Sequence, residues 1–183
     1  MNKQEIEKIS AEFKEKLLKI KVALFDVDGV LTDGRIYYSG NEIGFNRFFH
    51  THDGYGLKML MKAGLKVGII SGGDSEGVKQ RFSLLGLDYM YLGNEDKRGA
   101  LQAILEDTKL SSENVLYMGD EFFDLPILKE VGFSATTPDA SYEIQDNVDY
   151  VTKKHGGKGA VREVIDLVRY VQNIVPEVPG WNA

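Results

Sequence analysis

Five short apolar runs constrain the fold of this 183-residue chain more than any other feature. They lie at 22–25, 67–70, 89–92, 115–118 and 133–135. The first, Val22-Ala23-Leu24-Phe25, has no polar alternation at all. Such a run suits a strand buried on both faces, as in a parallel sheet. Between the runs, residues 56–63, 74–85, 96–106 and 122–131 carry helical patterning, and a last helix is expected over about 158–173. Strand and helix signals in alternation predict an α/β fold: a doubly wound, Rossmann-like parallel sheet with right-handed crossovers.

Two segments stand outside that alternation. Ile6, Ile9, Phe13, Leu17 and Ile20 recur at steps of three and four, which predicts one amphipathic packing helix over 3–19. Residues 35–38 and 44–49 are aromatic-rich and flank Ser39-Gly40-Asn41, which predicts an inserted β-hairpin at 35–49. A hairpin alone is marginal in water. Its Tyr37, Tyr38, Phe45, Phe48 and Phe49 therefore need a surface, either the chain's own body or another subunit. Pro176 and Pro179 predict an extended tail over 174–183. With no repeat or linker, residues 1–183 read as one domain.

A formal charge of −6 argues against a nucleic-acid binder, which carries a basic face. The chain has no cysteine, so disulfides, zinc-thiolate sites and thiol catalysis are excluded. It also shows no signal-like or bilayer-length apolar stretch. A cytoplasmic protein with neither nucleic-acid nor membrane partners is expected.

In an open α/β sheet, sites form at the carboxyl ends of the strands. Asp26 and Asp28 follow the first run, Ser71-Gly72-Gly73 the second, and Gly119-Asp120 the fourth, with Asp124 a turn later. Lys97 opens the helix after the third. Two carboxylates spaced by two repel unless a cation bridges them or one keeps a proton. Oxygen ligands point to a hard cation, Mg2+, held by Asp26, Asp120 and a backbone carbonyl. Asp26 is then placed to attack phosphorus, and Asp28 to act as general acid and base. Ser71, Gly72 and Lys97 would hold the transferring phosphoryl oxygens. Singly, each residue fits a cap, a turn or a solvated position; together, in this order, they point to phosphoryl transfer. His50 and His52 share a face of an extended segment, a weak metal-binding pattern beside a substrate or surface role.

These residues resemble the signatures of the haloacid dehalogenase superfamily. Asp26-Val27-Asp28-Gly29-Val30-Leu31-Thr32 is similar to its D-x-D-G-x-x-T motif, and Gly119-Asp120-Glu121-Phe122-Phe123-Asp124 to its GDxxxD motif. Ser71 and Lys97 stand where its second and third signatures do. The second Asp of the first motif favours phosphatases over dehalogenases. Leu31-Thr32-Asp33-Gly34-Arg35-Ile36-Tyr37, Asp53-Gly54-Tyr55-Gly56 and the stretch from His155 to Glu163 look like the 3-deoxy-D-manno-octulosonate 8-phosphate phosphatase family. They are also similar to the phosphatase-like module of some sialic-acid cytidylyltransferases. The resemblance implies metal sites at Asp26, Asp28 (through its carbonyl) and Asp120, with Asp124 orienting them. It further implies an aspartyl-phosphate intermediate, a small phosphorylated sugar-acid substrate, no large cap domain, and a homotetramer joined by the hairpins.

Three positions depart from that pattern. Gly73 replaces an Arg, His52 replaces an Arg before Asp53, and Lys158 replaces the Arg of a Gly-Gly-Arg-Gly. Lys keeps the charge but not the fork. A nine-carbon ulosonate 9-phosphate or another small sugar phosphate is therefore the alternative substrate. A non-catalytic oligomerisation module is the third reading, and the intact Asp26, Asp28, Lys97 and Asp120 speak against it.

Overall fold

The computed structural model describes residues 1–42, 44–178 and 180. All five apolar runs are strands: β1 (Val22–Phe25), β4 (Lys66–Ser71), β5 (Tyr89–Leu92), β6 (Val115–Met118) and β7 (Phe133–Thr136). The hairpin supplies β2 (Tyr37–Tyr38) and β3 (Phe45–Asn46), and β8 (Tyr150–Val151) closes one edge. The main sheet runs β5-β4-β1-β6-β7-β8, and every pairing in it is parallel. The α/β architecture read from the runs is the one observed.

Both faces of the sheet are covered, which is why β1 has no polar side. Ala23 and Phe25 face a core shared with Leu57 and Leu60 of α3 (Thr51–Lys62), Phe82 of α4 (Glu76–Leu85) and Val164 and Val168 of α8 (Ala160–Gln172). Val22 and Leu24 face the opposite core, with Ile104 of α5 (Arg98–Thr108), Ile127 of α6 (Leu125–Leu128) and Ile144 of α7 (Tyr142–Gln145). Side chains two apart share a face and neighbours oppose, so one short strand serves both layers. No helix among the described residues is long and apolar enough to cross a membrane.

Several details differ from expectation. The helix α3 begins at Thr51, five residues before the expected 56–63 helix, so His52 is helical rather than extended, and α7 was not foreseen. The N-terminal helix is two, α1 (Lys3–Glu12) and α2 (Lys14–Lys19), broken at Phe13. Phe13 leaves helical geometry at φ −105° and ψ 14° and sets its ring edge-on to Phe133, with centroids 5.4 Å apart. The helix expected over 122–131 begins as a tight turn, Phe122–Asp124, and only then becomes α6, with Pro126 in its first turn. β8 was not foreseen, being two residues long and paired on one side only. Of the expected tail, Pro179 and residues 181–183 lie outside the described residues.

The hairpin register pairs Tyr37 with Asn46 and Tyr38 with Phe45. Only Phe49 of its five aromatics turns back to the chain's own core, edge-on to Phe82 at 5.3 Å. The others remain 41% (Tyr37), 56% (Tyr38), 55% (Phe45) and 67% (Phe48) exposed, so the described residues leave these four rings largely uncovered.

Candidate active site

The strand order reverses at β1, whose neighbours β4 and β6 lead out in opposite directions. A crevice forms at such a point, at the carboxyl ends of the strands. Asp26 follows β1 directly and extends its ladder by donating its N–H to Met118 O at 2.9 Å. Ser71 is the last residue of β4, and Asp120 lies two residues past β6.

The turn after β1 is shaped by two residues of the first motif. Thr32 is fully buried, and its hydroxyl oxygen accepts from the N–H groups of Gly29 (3.4 Å) and Gly34 (3.3 Å). Gly29 has φ +86°, and a Cβ there would sit 1.9 Å from Asp120 Oδ2. Only glycine allows both the left-handed backbone and the approach of Asp120. The loop from His155 braces this turn from behind. Gly157 N–H donates to Val30 O at 3.1 Å, and a Cβ on Gly156 would meet Gly29 O at 1.9 Å.

Lys97 is the electrostatic centre of the crevice. Its ammonium lies 2.9 Å from Asp26 Oδ1 and 2.6 Å from Asp124 Oδ1, with its side chain fully buried. It also donates to Tyr117 Oη at 3.2 Å and stands 4.6 Å from the centroid of Phe123. Asp124 is saturated. Its Oδ1 accepts from Lys97 and Tyr117, and its Oδ2 accepts from the N–H groups of Asp120 and Glu121 at 3.0 Å each. It is thus a brace for the Asp120 loop, as its place in the sequence motif implies.

Asp26, Asp120 and Asp124 offer oxygens within 4.8 Å of one another, and Asp120 Oδ1 is buried without a donor among the described residues. Three carboxylates face one ammonium. Burial pushes the Asp26 carboxyl up to about 7 even though Lys97 opposes the shift. Burial, reinforced by Asp26, pushes Asp120 up to about 8. A divalent cation would bring the charge of this group to zero and give the orphaned oxygen a partner. The all-oxygen donor set suits a hard ion. The His50 and His52 rings stand 5.1 Å apart at the start of α3 and are not part of this cluster.

Of the remaining residues read from sequence, Ser71 is buried and its hydroxyl oxygen accepts from Gly73 N–H at 3.2 Å. Gly72 lies beside it, under Glu95. Asp28 is engaged by a residue the sequence reading did not single out. The Arg47 guanidinium forks onto it, with Nε to Oδ1 at 2.5 Å and Nη2 to Oδ2 at 2.7 Å, and donates through Nη1 to Ser75 Oγ at 2.9 Å. The Arg47 guanidinium takes the space beside Gly73: a Cβ on Gly73 would lie 3.0 Å from Arg47 Nη2. The one available signal was a single cation in the aromatic-rich arm 44–49. Tyr117 was also missed, although a Tyr inside a fully buried strand needs a partner for its hydroxyl. Lys158 Nζ is 3.7 Å from Asp33 Oδ2, and Arg162 Nε donates to Asp166 at 2.8 Å.

Fold and site define a haloacid dehalogenase-like hydrolase, a phosphoric monoester hydrolase. The family profile described as haloacid dehalogenase-like hydrolase matches residues 91–165. The 3-deoxy-D-manno-octulosonate 8-phosphate phosphatase of Escherichia coli (strain B / BL21-DE3) is 38% identical over 172 residues, 94% of this chain and 91% of that protein. The Moraxella catarrhalis enzyme of that name, solved with a magnesium ion, a phosphate ion and KDO, aligns with TM-score 0.84 at 36% identity, covering 88% of this chain and 92% of its own. The cobalt-bound Haemophilus influenzae phosphatase aligns with TM-score 0.82 at 39% identity, covering 86% and 92%. The chain belongs to the family of 3-deoxy-D-manno-octulosonate 8-phosphate phosphatases.

Proposed function

We propose that this phosphatase is magnesium-dependent and hydrolyses a phosphorylated ulosonic acid, foremost 3-deoxy-D-manno-octulosonate 8-phosphate. The observation that carries this reading is the cluster of Asp26, Asp120 and Lys97 in a chain that aligns closely with a relative solved with magnesium, phosphate and KDO. A cytoplasmic, single-domain protein assembled as a homotetramer is part of the proposal.

Asp26, Asp120 and the Asp28 carbonyl would hold Mg2+, which supplies positive charge for the phosphoryl oxygens. Asp26 attacks phosphorus through a carboxylate oxygen. The bond from phosphorus to the sugar oxygen breaks, and Asp28 gives that oxygen a proton. An aspartyl-phosphate results. Water then attacks its phosphorus, Asp28 takes the water's proton, and inorganic phosphate leaves with Asp26 restored. Ser71, the Gly72 amide and Lys97 steady the negative oxygens throughout. Lys97 has a second task, since its charge favours the ionised, nucleophilic form of Asp26.

The changes at Gly73, His52 and Lys158 keep a second substrate in view: a nine-carbon ulosonate 9-phosphate or another small sugar phosphate. The test is phosphate release from both ulosonate phosphates and from p-nitrophenyl phosphate, with and without Mg2+. We expect release from the eight-carbon ester to be fastest, to stop on chelation, and to fall by at least about a thousandfold in Asp26→Asn, which lacks the nucleophile. Faster turnover of the generic ester would discard the sugar-acid assignment and keep the chemistry.

A further inference from the structure

Arg47 is built into the site, yet the chemistry above gives it no task. Its side chain is 7% exposed, while the Asp28 side chain it grips is 34% exposed. The guanidinium is held by three donor contacts, two to Asp28 and one to Ser75. It covers the face of Gly73, whose missing side chain makes the room: a Cβ there would lie 3.0 Å from Nη2, 3.3 Å from Asp28 Oδ2 and 3.7 Å from Ser71 Oγ. The cation is thereby seated between a candidate proton donor and a candidate phosphoryl-oxygen donor. A planar fork already matched to two carboxylate oxygens is equally matched to two phosphoryl oxygens.

We infer that Arg47, carried in by the hairpin, is a phosphate-binding residue of this site, exchanging its hold on Asp28 for the oxygens of the bound phosphoryl group. Asp28, ionised, serves as its counter-ion until substrate arrives; the exchange frees Asp28 to take up a proton from solvent and to face the leaving oxygen that will receive it. The inference rests on the phosphatase reading alone, not on the sugar acid. The probe is therefore inorganic phosphate, which contains no sugar.

The experiment is calorimetric titration of the Mg2+-loaded protein with inorganic phosphate. Wild type is compared with Arg47→Ala, Arg47→Lys and Ser75→Ala, and Asp28→Asn with Asp28→Asn/Arg47→Ala. Loss of a charge-assisted fork is expected to weaken phosphate binding by roughly 10- to 100-fold in Arg47→Ala. Arg47→Lys should recover part of that loss, since it keeps the charge without the fork. Ser75→Ala, which removes only the tether to the loop, should bind as wild type does. The Arg47→Ala loss should persist in the Asp28→Asn background, where no carboxylate is left to repel the phosphate. Unchanged affinity in Arg47→Ala would overturn the inference. So would a loss confined to the background with Asp28 intact, because Arg47 would then act only by neutralising Asp28. Failure of the ulosonate assignment would appear in the turnover assays and leave these titrations unaffected.

Discussion

Asp120 shows how this site is held in tension at the level of single residues. One of its oxygens lacks a donor among the described residues, and burial raises its carboxyl to about 8, as burial raises Asp26 to about 7, against the usual 3.8. Both folded values lie above the unfolded one. From about pH 4 to 8 these two groups therefore bind more protons in the folded chain than in the unfolded one, and their contribution to stability falls as pH rises through that window. A cation reverses the balance, since it binds the ionised carboxylates and its affinity climbs with pH. We expect the thermal midpoint of metal-free protein to decrease between about pH 5 and 8, and Mg2+ to raise it more at the upper end. Asp120→Asn should flatten the metal-free slope and shrink the Mg2+ effect. A metal-free midpoint that rises over this range would show that the carboxylates ionise without help. The residues of this cluster were legible in sequence because Asp26 and Asp120 follow apolar runs closely and Asp124 stands one turn beyond Asp120. Arg47 and Tyr117 were not, because their partners are 19 and 7 residues away and only the fold brings them together.

Among the elements, α3 and α8 show what the Asp53-Gly54-Tyr55-Gly56 stretch contributes. Asp53 is 1% exposed, and its Oδ1 accepts from Arg162 N–H at 2.8 Å, in the first turn of α8. One helix thus caps another, where Gly159, preceding α8, offers no side chain to do so. Gly56 allows the close packing: a Cβ there would stand 2.9 Å from Ile165 Cδ1. Burial raises Asp53 to about 6 despite the Arg162 N–H. Here too the folded value exceeds the unfolded one, so this group's contribution to stability declines between about pH 4 and 6. Asp53→Asn keeps the acceptor and removes the titration. Its unfolding free energy, measured by urea titration, should vary less over that range than that of wild type. Asp53→Ala should lose roughly 0.5–2 kcal/mol, as other helix caps do. Helical periodicity located both helices but not this link between them, which joins residues 109 apart. The break at Phe13 escaped for the opposite reason. The apolar stripe continues across it, and only the seat of the ring against Phe133 shows that the helix must turn there.

For the whole molecule, the parallel sheet follows from the alternating runs, and the site's location follows from the reversal of strand order at β1. The hairpin does not follow from either. Its aromatics announce a need for cover, and among the described residues only Phe49 of them finds it. Tyr37 and Phe48 stack on each other at 5.0 Å between centroids, yet remain 41% and 67% exposed. Aromatic rings held in register by two short strands form a pre-ordered patch, and such patches mark contact surfaces. Assembly through the hairpins would also fix Arg47, which stands one residue beyond β3 and reaches Asp28 from there. We therefore expect the protein to sediment as a tetramer, and a Tyr37→Asp/Phe48→Asp variant to shift toward smaller species with an unchanged circular dichroism spectrum. Neither side chain belongs to the two cores, so the sheet should survive the change. If assembly steadies Arg47, the variant's affinity for inorganic phosphate should fall together with its mass. Lost mass with affinity retained would show that the Arg47 seat is complete within one chain.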